Sequence, residues 1–222
     1  MPKVKIARKS TLVDMTAMCD VAFLLLTFFI LTSKFRPTEP VQINMPGSRA
    51  ERKIAEQNIM ILTVSKDGKI FFGVDNQKVR TRMLERMMLN YPNVAFTEDQ
   101  KLKFATTESF GVPFQLLPRL LDGEIKNDDS APGIPVDSTA SSFRRNELAD
   151  WIFAGRVADN ELRQTGDIES DGIAVAVKGD GATDYPVIKK IMETLVDKKV
   201  NKFNLVTALK GGDSAAATEP EE

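Results

Sequence analysis

Met15-Thr16-Ala17-Met18-Cys19-Asp20-Val21-Ala22-Phe23-Leu24-Leu25-Leu26-Thr27-Phe28-Phe29-Ile30-Leu31-Thr32-Ser33 carries a single charged residue, Asp20. As a helix rising about 1.5 Å per residue, it is close to the length that crosses roughly 30 Å of hydrocarbon. An aspartate near the centre of such a helix costs about 2.5 to 3.5 kcal/mol on an insertion scale. From Val21 to Leu31, nine of eleven residues are Val, Leu, Ile or Phe. Together they return about 3 to 5 kcal/mol on the same scale, which covers Asp20 by a narrow margin. A buried core helix is usually shorter and shows a polar face. A cleaved signal peptide shares the basic start (Lys3, Lys5, Arg8, Lys9) but not an aspartate inside the apolar run, and no Ala-x-Ala site follows. Cys19 precedes the apolar run, so it is not placed as a lipid-attachment cysteine. The stretch reads as a retained transmembrane helix over 14–33.

Composition narrows the chemistry. The chain has 222 residues, 30 basic and 31 acidic, for a net charge of −1. That balance gives no electrostatic case for a nucleic-acid partner. Histidine is absent and the only cysteine lies within the transmembrane stretch. The commonest general base and the usual nitrogen and sulfur metal ligands are therefore missing outside it. No metal, no cofactor and no catalytic residue is expected. Asp128-Asp129 and the Asp180/Asp184 pair fall in loops without a base or a ligand pattern, and Gly179-Asp180-Gly181 reads as a turn. Residues 1–13 form a basic leader suited to anionic lipid. Its charge excess places the N-terminus in the cytoplasm and the bulk of the chain on the other side.

Helical spacing puts Thr16, Asp20 and Thr27 on one stripe of the span. The simplest reading of Thr27 is a bond to its own helix backbone, and either Asp14 or Thr16 can cap the helix start. Asp20 is different. An ionisable residue inside a span faces a bundle or a wet cavity and marks an ion or proton pathway.

Asp20-Val21 followed by Leu24-Leu25-Leu26 and Phe28-Phe29 resembles the single span of the ExbD/TolR family. The family's usual Asn-x-Thr-Pro lead-in reads Asp14-Met15-Thr16-Ala17 here, so Thr16 matches while the Asn and Pro do not. The resemblance implies a proton-motive-force transducing subunit of the bacterial inner membrane, non-enzymatic, with Asp20 as the proton-carrying carboxylate. It further implies a ring of ExbB/TolQ-like multi-span subunits, self-association as a helix pair, and a TonB-like periplasm-spanning protein that energises outer-membrane uptake. A TolR-type envelope-integrity subunit and a passive membrane-anchored scaffold are the competing readings.

The expected fold is a single-pass membrane protein: one N-terminal transmembrane helix plus a periplasmic α+β domain, a small mixed sheet with helices packed on one face. Residues 34–57 form an extended linker, with Pro37 and Pro40 stiffening its start. Within it Val41-Gln42-Ile43-Asn44-Met45 alternates apolar and polar, which predicts a short strand over 41–45. With Pro46 it is similar to the family's short strand, so Val41, Ile43, Asn44, Met45 and Pro46 are expected to touch a partner. Residues 47–57 read as a polar tether. The domain spans 58–209. Ile59–Ser65 and Lys69–Val74 read as a hairpin around Asp67-Gly68. Arg80–Asn90 reads as an amphipathic helix with methionines in the core. Residues 93–143 match nothing in compact family members and read as irregular chain and a flexible loop, within an insertion of about 93–170, though Phe104, Phe110 and Phe114 suggest that its first half packs on something. Residues 144–157 regain helical spacing through Leu148, Trp151 and Ile152. A strand at 173–178, a helix at 185–199 with Pro186 in its first turn, and a closing strand at 203–207 complete the domain. An acidic tail, 210–222, is expected to be disordered.

Overall fold

In the computed structural model one unbroken helix, α1, runs from Met15 to Thr32, and none of its residues is buried. A core helix would be covered, so the soluble-core reading fails. Residues 15–33, 40–48, 57–136 and 146–209 are described. Asp14, the basic leader, residues 34–39 of the spacer, most of the tether, residues 137–145 and the acidic tail lie outside them. The chain divides into two units, Met1–Thr38 and Glu39–Glu222.

In the second unit the hairpin forms as the sequence expects. Strands β2 (Ile59–Val64) and β3 (Ile70–Val74) are antiparallel, with Val64 opposite Ile70. Gly68 takes φ +76° in the turn, and its N–H reaches the Ser65 carbonyl at 2.9 Å. Glycine adopts that φ without a Cβ penalty. A short strand β1 (Gly47–Ser48) precedes the hairpin and β4 (Ser109–Phe110) follows it. β5 (Ala174–Gly179) lies parallel to β2, and β6 (Asn204–Val206) lies parallel to β5. The sheet order is β4-β3-β2-β5-β6. Separately, β1 pairs in parallel with β7 (Ala208–Leu209).

Met60, Leu62 and Val64 are buried, and Ile59, Ile61 and Thr63 are half-buried, so β2 shows the period-2 pattern of a sheet with one well-covered face. Two helices, α2 (Gln77–Asn90) and α5 (Glu147–Gln164), cover that face. A Cβ on Gly155 of α5 would come within 2.6 Å of the Met60 side chain, so the helix sits hard against the sheet there. Met83 and Met87 are buried, as their spacing predicts. The last helix, α6 (Tyr185–Asp197), carries Pro186 in its first turn and buries Ile191 and Leu195.

Residues 98–121 are not irregular chain, and this corrects the expectation there, while residues 122–136 hold no helix or strand. The 98–121 stretch holds α3 (Glu98–Thr106), β4, a short 3-10 turn at Phe114–Leu116 and α4 (Leu117–Leu121). Thr97 and Gln100 close a capping box at the start of α3, each side chain satisfying the other's backbone N–H. Phe104, Phe110 and Phe114 surround Trp151, all fully or almost fully buried. Farther on, the Ile134 N–H bonds the Ile70 carbonyl and the Gly133 N–H bonds the Gly111 carbonyl. The expected loop is therefore pinned to the sheet through residue 134. Arg80, buried, ties these parts together by donating to the carbonyls of Ala105, Val74 and Asp75. Burial lowers its pKa from the ordinary arginine value. Glu147, at the start of α5, is also buried and accepts the Phe114 N–H at 2.9 Å. Burial pushes its carboxyl above the ordinary glutamate range.

Candidate functional site

The site divides between α1 and the linker. On α1, Thr16 and Asp20 are four residues apart and Asp20 and Thr27 seven, so at 3.6 residues per turn the three fall within about 40° of one another. Along the axis, Asp20 sits about 7.5 Å from the helix start and about 10.5 Å from Thr27. The stripe is shared, but Asp20 and Thr27 are too far apart to bond. The Thr27 hydroxyl donates instead to the Leu24 carbonyl at 2.9 Å, and Thr32 does the same to Phe28 at 2.8 Å. Both polar groups are thereby matched to their own helix, as apolar surroundings require. A carboxylate, which can only accept, finds no free N–H in mid-helix to do the same for Asp20. Its side chain stands exposed on a helix flanked by Val21, Phe23 and Leu24, which are exposed too.

The linker departs from expectation. Residues 41–45 form no strand; the extended pairing begins at Gly47. The alternation does mark burial, with Val41 in the core, Ile43 and Met45 half-buried, and Gln42 and Asn44 exposed. What replaces a ladder is a clasp. The Asn44 N–H donates to the Asp180 carboxylate at 2.8 Å, and the Asn44 carbonyl accepts the Gly181 N–H at 2.8 Å. Asp180 also accepts the Ala182 N–H at 2.9 Å. A Cβ on Gly181 would lie 3.4 Å from the Asn44 carbonyl, an ordinary contact, so the clasp does not depend on glycine there. Pro46, which cannot donate to a ladder, stays exposed. The strand offered for partner contact is thus engaged by its own domain.

The Ala182 and then the Asn44 N–H hold the Asp180 carboxyl below the ordinary aspartate range. The sign follows from a lowered folded value. The contribution is fully present above the unfolded aspartate range and is lost only as pH falls through the lowered one. The clasp is therefore closed at neutral pH. Asp180→Ala is expected to speed amide exchange over residues 40–48 by about tenfold or more, the loss of a charge-assisted bond. Hydrogen–deuterium exchange read by mass spectrometry checks this, with β2 and β5 unchanged as the internal control. Read as sequence, Asp180 is only half of a loop pair. Its actual partner, a backbone amide 136 positions away, leaves no sequence signal. Asp184 caps α6 without a side-chain bond, and Asp128 accepts from the Ser130 N–H. Among the described residues no cluster of three or more metal-ligating side chains occurs.

A helix long and apolar enough to cross a membrane, followed by a mixed α+β domain, defines a membrane-anchored protein whose span carries one acid. The chain matches the family model described as biopolymer transport protein ExbD/TolR over residues 7–210, and it belongs to that family. Comparisons with curated proteins and with solved structures return no match. The matched range brackets the 93–170 segment, which supplies the core helix α5.

Proposed function

We propose that the chain is the proton-transducing, single-span subunit of an inner-membrane complex of the ExbB–ExbD–TonB type, with Asp20 as the proton carrier. The observation that supports it most is the lone acid on a helix with no buried residue. Such a helix needs neighbours from other chains, and an ionisable group among them marks a pathway. In this reading ExbB/TolQ-like multi-span subunits enclose a pair of α1 helices and supply entry and exit for protons. Moving one charge through the potential releases about 2.3 kcal/mol per 100 mV. Protonation removes the charge on Asp20 and lets the pair shift. The linker, clasped at Asn44, passes the motion to the periplasmic domain, which engages a TonB-like protein. The N-terminus lies in the cytoplasm. The chemistry is transport without a covalent step.

The family description covers TolR as well, and a TolR-type envelope-integrity role uses the same acid and the same ring. Affinity purification in mild detergent tests the shared core of both. A multi-span partner is expected to copurify with the chain. Recovery of the chain alone, at native expression and with its span intact, overturns the reading.

A further inference from the structure

A second surface, remote from the clasp, carries its own chemistry. Between α5 and the end of α6 lies a groove of about 660 Å³, lined among others by Phe153, Arg156, Arg163, Ile173, Lys198 and Lys199. Its two carboxylates, Asp159 and Asp197, do not balance these cations. Asp159 is consumed internally, accepting from Asn58 at 2.6 Å, from the Ile173 N–H at 3.1 Å and from Arg163 at 3.3 Å. Arg156, Lys198 and Lys199 make no ion pair among the described residues. The Arg156 guanidinium is instead held by the Lys198 carbonyl at 2.6 Å, which fixes it at the groove.

Lys199 adds an independent sign. It ends α6 in a Schellman arrangement, its N–H on Val196 and the Val200 N–H on Leu195, with φ +58°. Glycine is the ordinary residue there, because a Cβ is strained in the left-handed region. Lysine in place of glycine at this helix end sets a cation on the groove lining. Phe153, more than half exposed, gives the same groove an apolar contact.

We propose that this groove docks an acidic, extended segment of a partner protein, its carboxylates on Arg156, Lys198 and Lys199 and an apolar residue on Phe153. The inference goes beyond the proton step and does not depend on Asp20. A fluorescein-labelled peptide (Glu-Pro-Ala)3 is the probe, with (Gln-Pro-Ala)3 as the neutral control, titrated against the full chain in mild detergent at low salt. The acidic peptide is expected to bind, the neutral one not, and 0.5 M salt to abolish binding, since exposed charges are screened over about 4 Å at that strength. Lys199→Gly is expected to weaken binding about three- to fivefold while leaving the melting temperature equal or higher. Arg156→Gln with Lys199→Gly is expected to weaken it by roughly an order of magnitude. Equal binding of the neutral peptide, or no change in Lys199→Gly, overturns the proposal. So does tighter binding of an oligothymidylate, which would mark a nucleic-acid surface. Binding only after removal of residues 211–222 overturns it too, since the chain's own acidic tail would then be the occupant.

Discussion

Asp20→Asn is expected to leave the chain inserted, folded and associated, and to reduce energised outer-membrane uptake to the de-energised background. Asparagine keeps the size and the hydrogen-bonding reach of aspartate but carries neither a charge nor an exchangeable carboxyl proton. The helix loses its one expensive residue, so insertion improves by part of the roughly 2.5 to 3.5 kcal/mol that Asp20 costs. Meanwhile the work available per proton, about 2.3 kcal/mol per 100 mV, falls to zero at that site. A passive scaffold gives the opposite result, because an amide can serve any assembly contact that a protonated acid makes. The measurement is uptake of a ligand whose outer-membrane receptor needs energy, alongside copurification of the multi-span partner. Uptake at the native rate in the Asp20→Asn variant removes the proton step and leaves the scaffold. Thr27→Ala is the contrast. Its hydroxyl is spent on the Leu24 carbonyl, so a small effect is expected there.

What the chain discloses as sequence depends on how local the physics is. The hairpin is readable because Asp67-Gly68 and the two apolar runs decide it within sixteen residues. The span is readable because a lone acid in an apolar run stands out against any soluble pattern. The 41–45 stretch shows where pattern misleads. Alternation reports which side chains are buried, and it does so correctly for Val41 and Ile43. It does not report whether the backbone N–H groups find a neighbouring strand or, as at Asn44, a carboxylate. The Asp180 clasp is a relation across the fold, invisible to any window of sequence, while the left-handed Lys199 is local but carries no glycine to mark it.

The 93–122 stretch misleads for a different reason. Its elements are short, a nine-residue helix, a two-residue strand and a five-residue helix, too brief for periodicity to register. Two local signals are nevertheless present. Thr97-x-x-Gln100 is a capping-box pattern, and Phe104, Phe110 and Phe114 cluster at a density that loops do not sustain.

That aromatic cluster carries the second large effect, the truncation Trp151→Ala. Trp151 is wholly buried, with ring centroids at 4.8 Å from Phe110, 5.7 Å from Phe114, 6.0 Å from Phe104 and 6.1 Å from Phe72. It therefore joins β3 and α5 to three elements of the 93–122 stretch. Removing a buried tryptophan side chain costs about 3 to 5 kcal/mol, the lost transfer energy plus the cavity left behind. For a domain of this size each kcal/mol moves the melting temperature by about 2 to 4 °C, so a fall of roughly 6 to 20 °C is expected. Leu102→Ala, on the exposed side of α3 at 69 % exposure, is the matched control and should stay within about 0.5 kcal/mol of the native chain. Thermal unfolding of the full chain in detergent, followed by circular dichroism, separates the two. A shift of the predicted size means that Trp151 and the Phe104, Phe110 and Phe114 rings packed on it stabilise the domain together with Phe72 of the sheet, as part of one buried core.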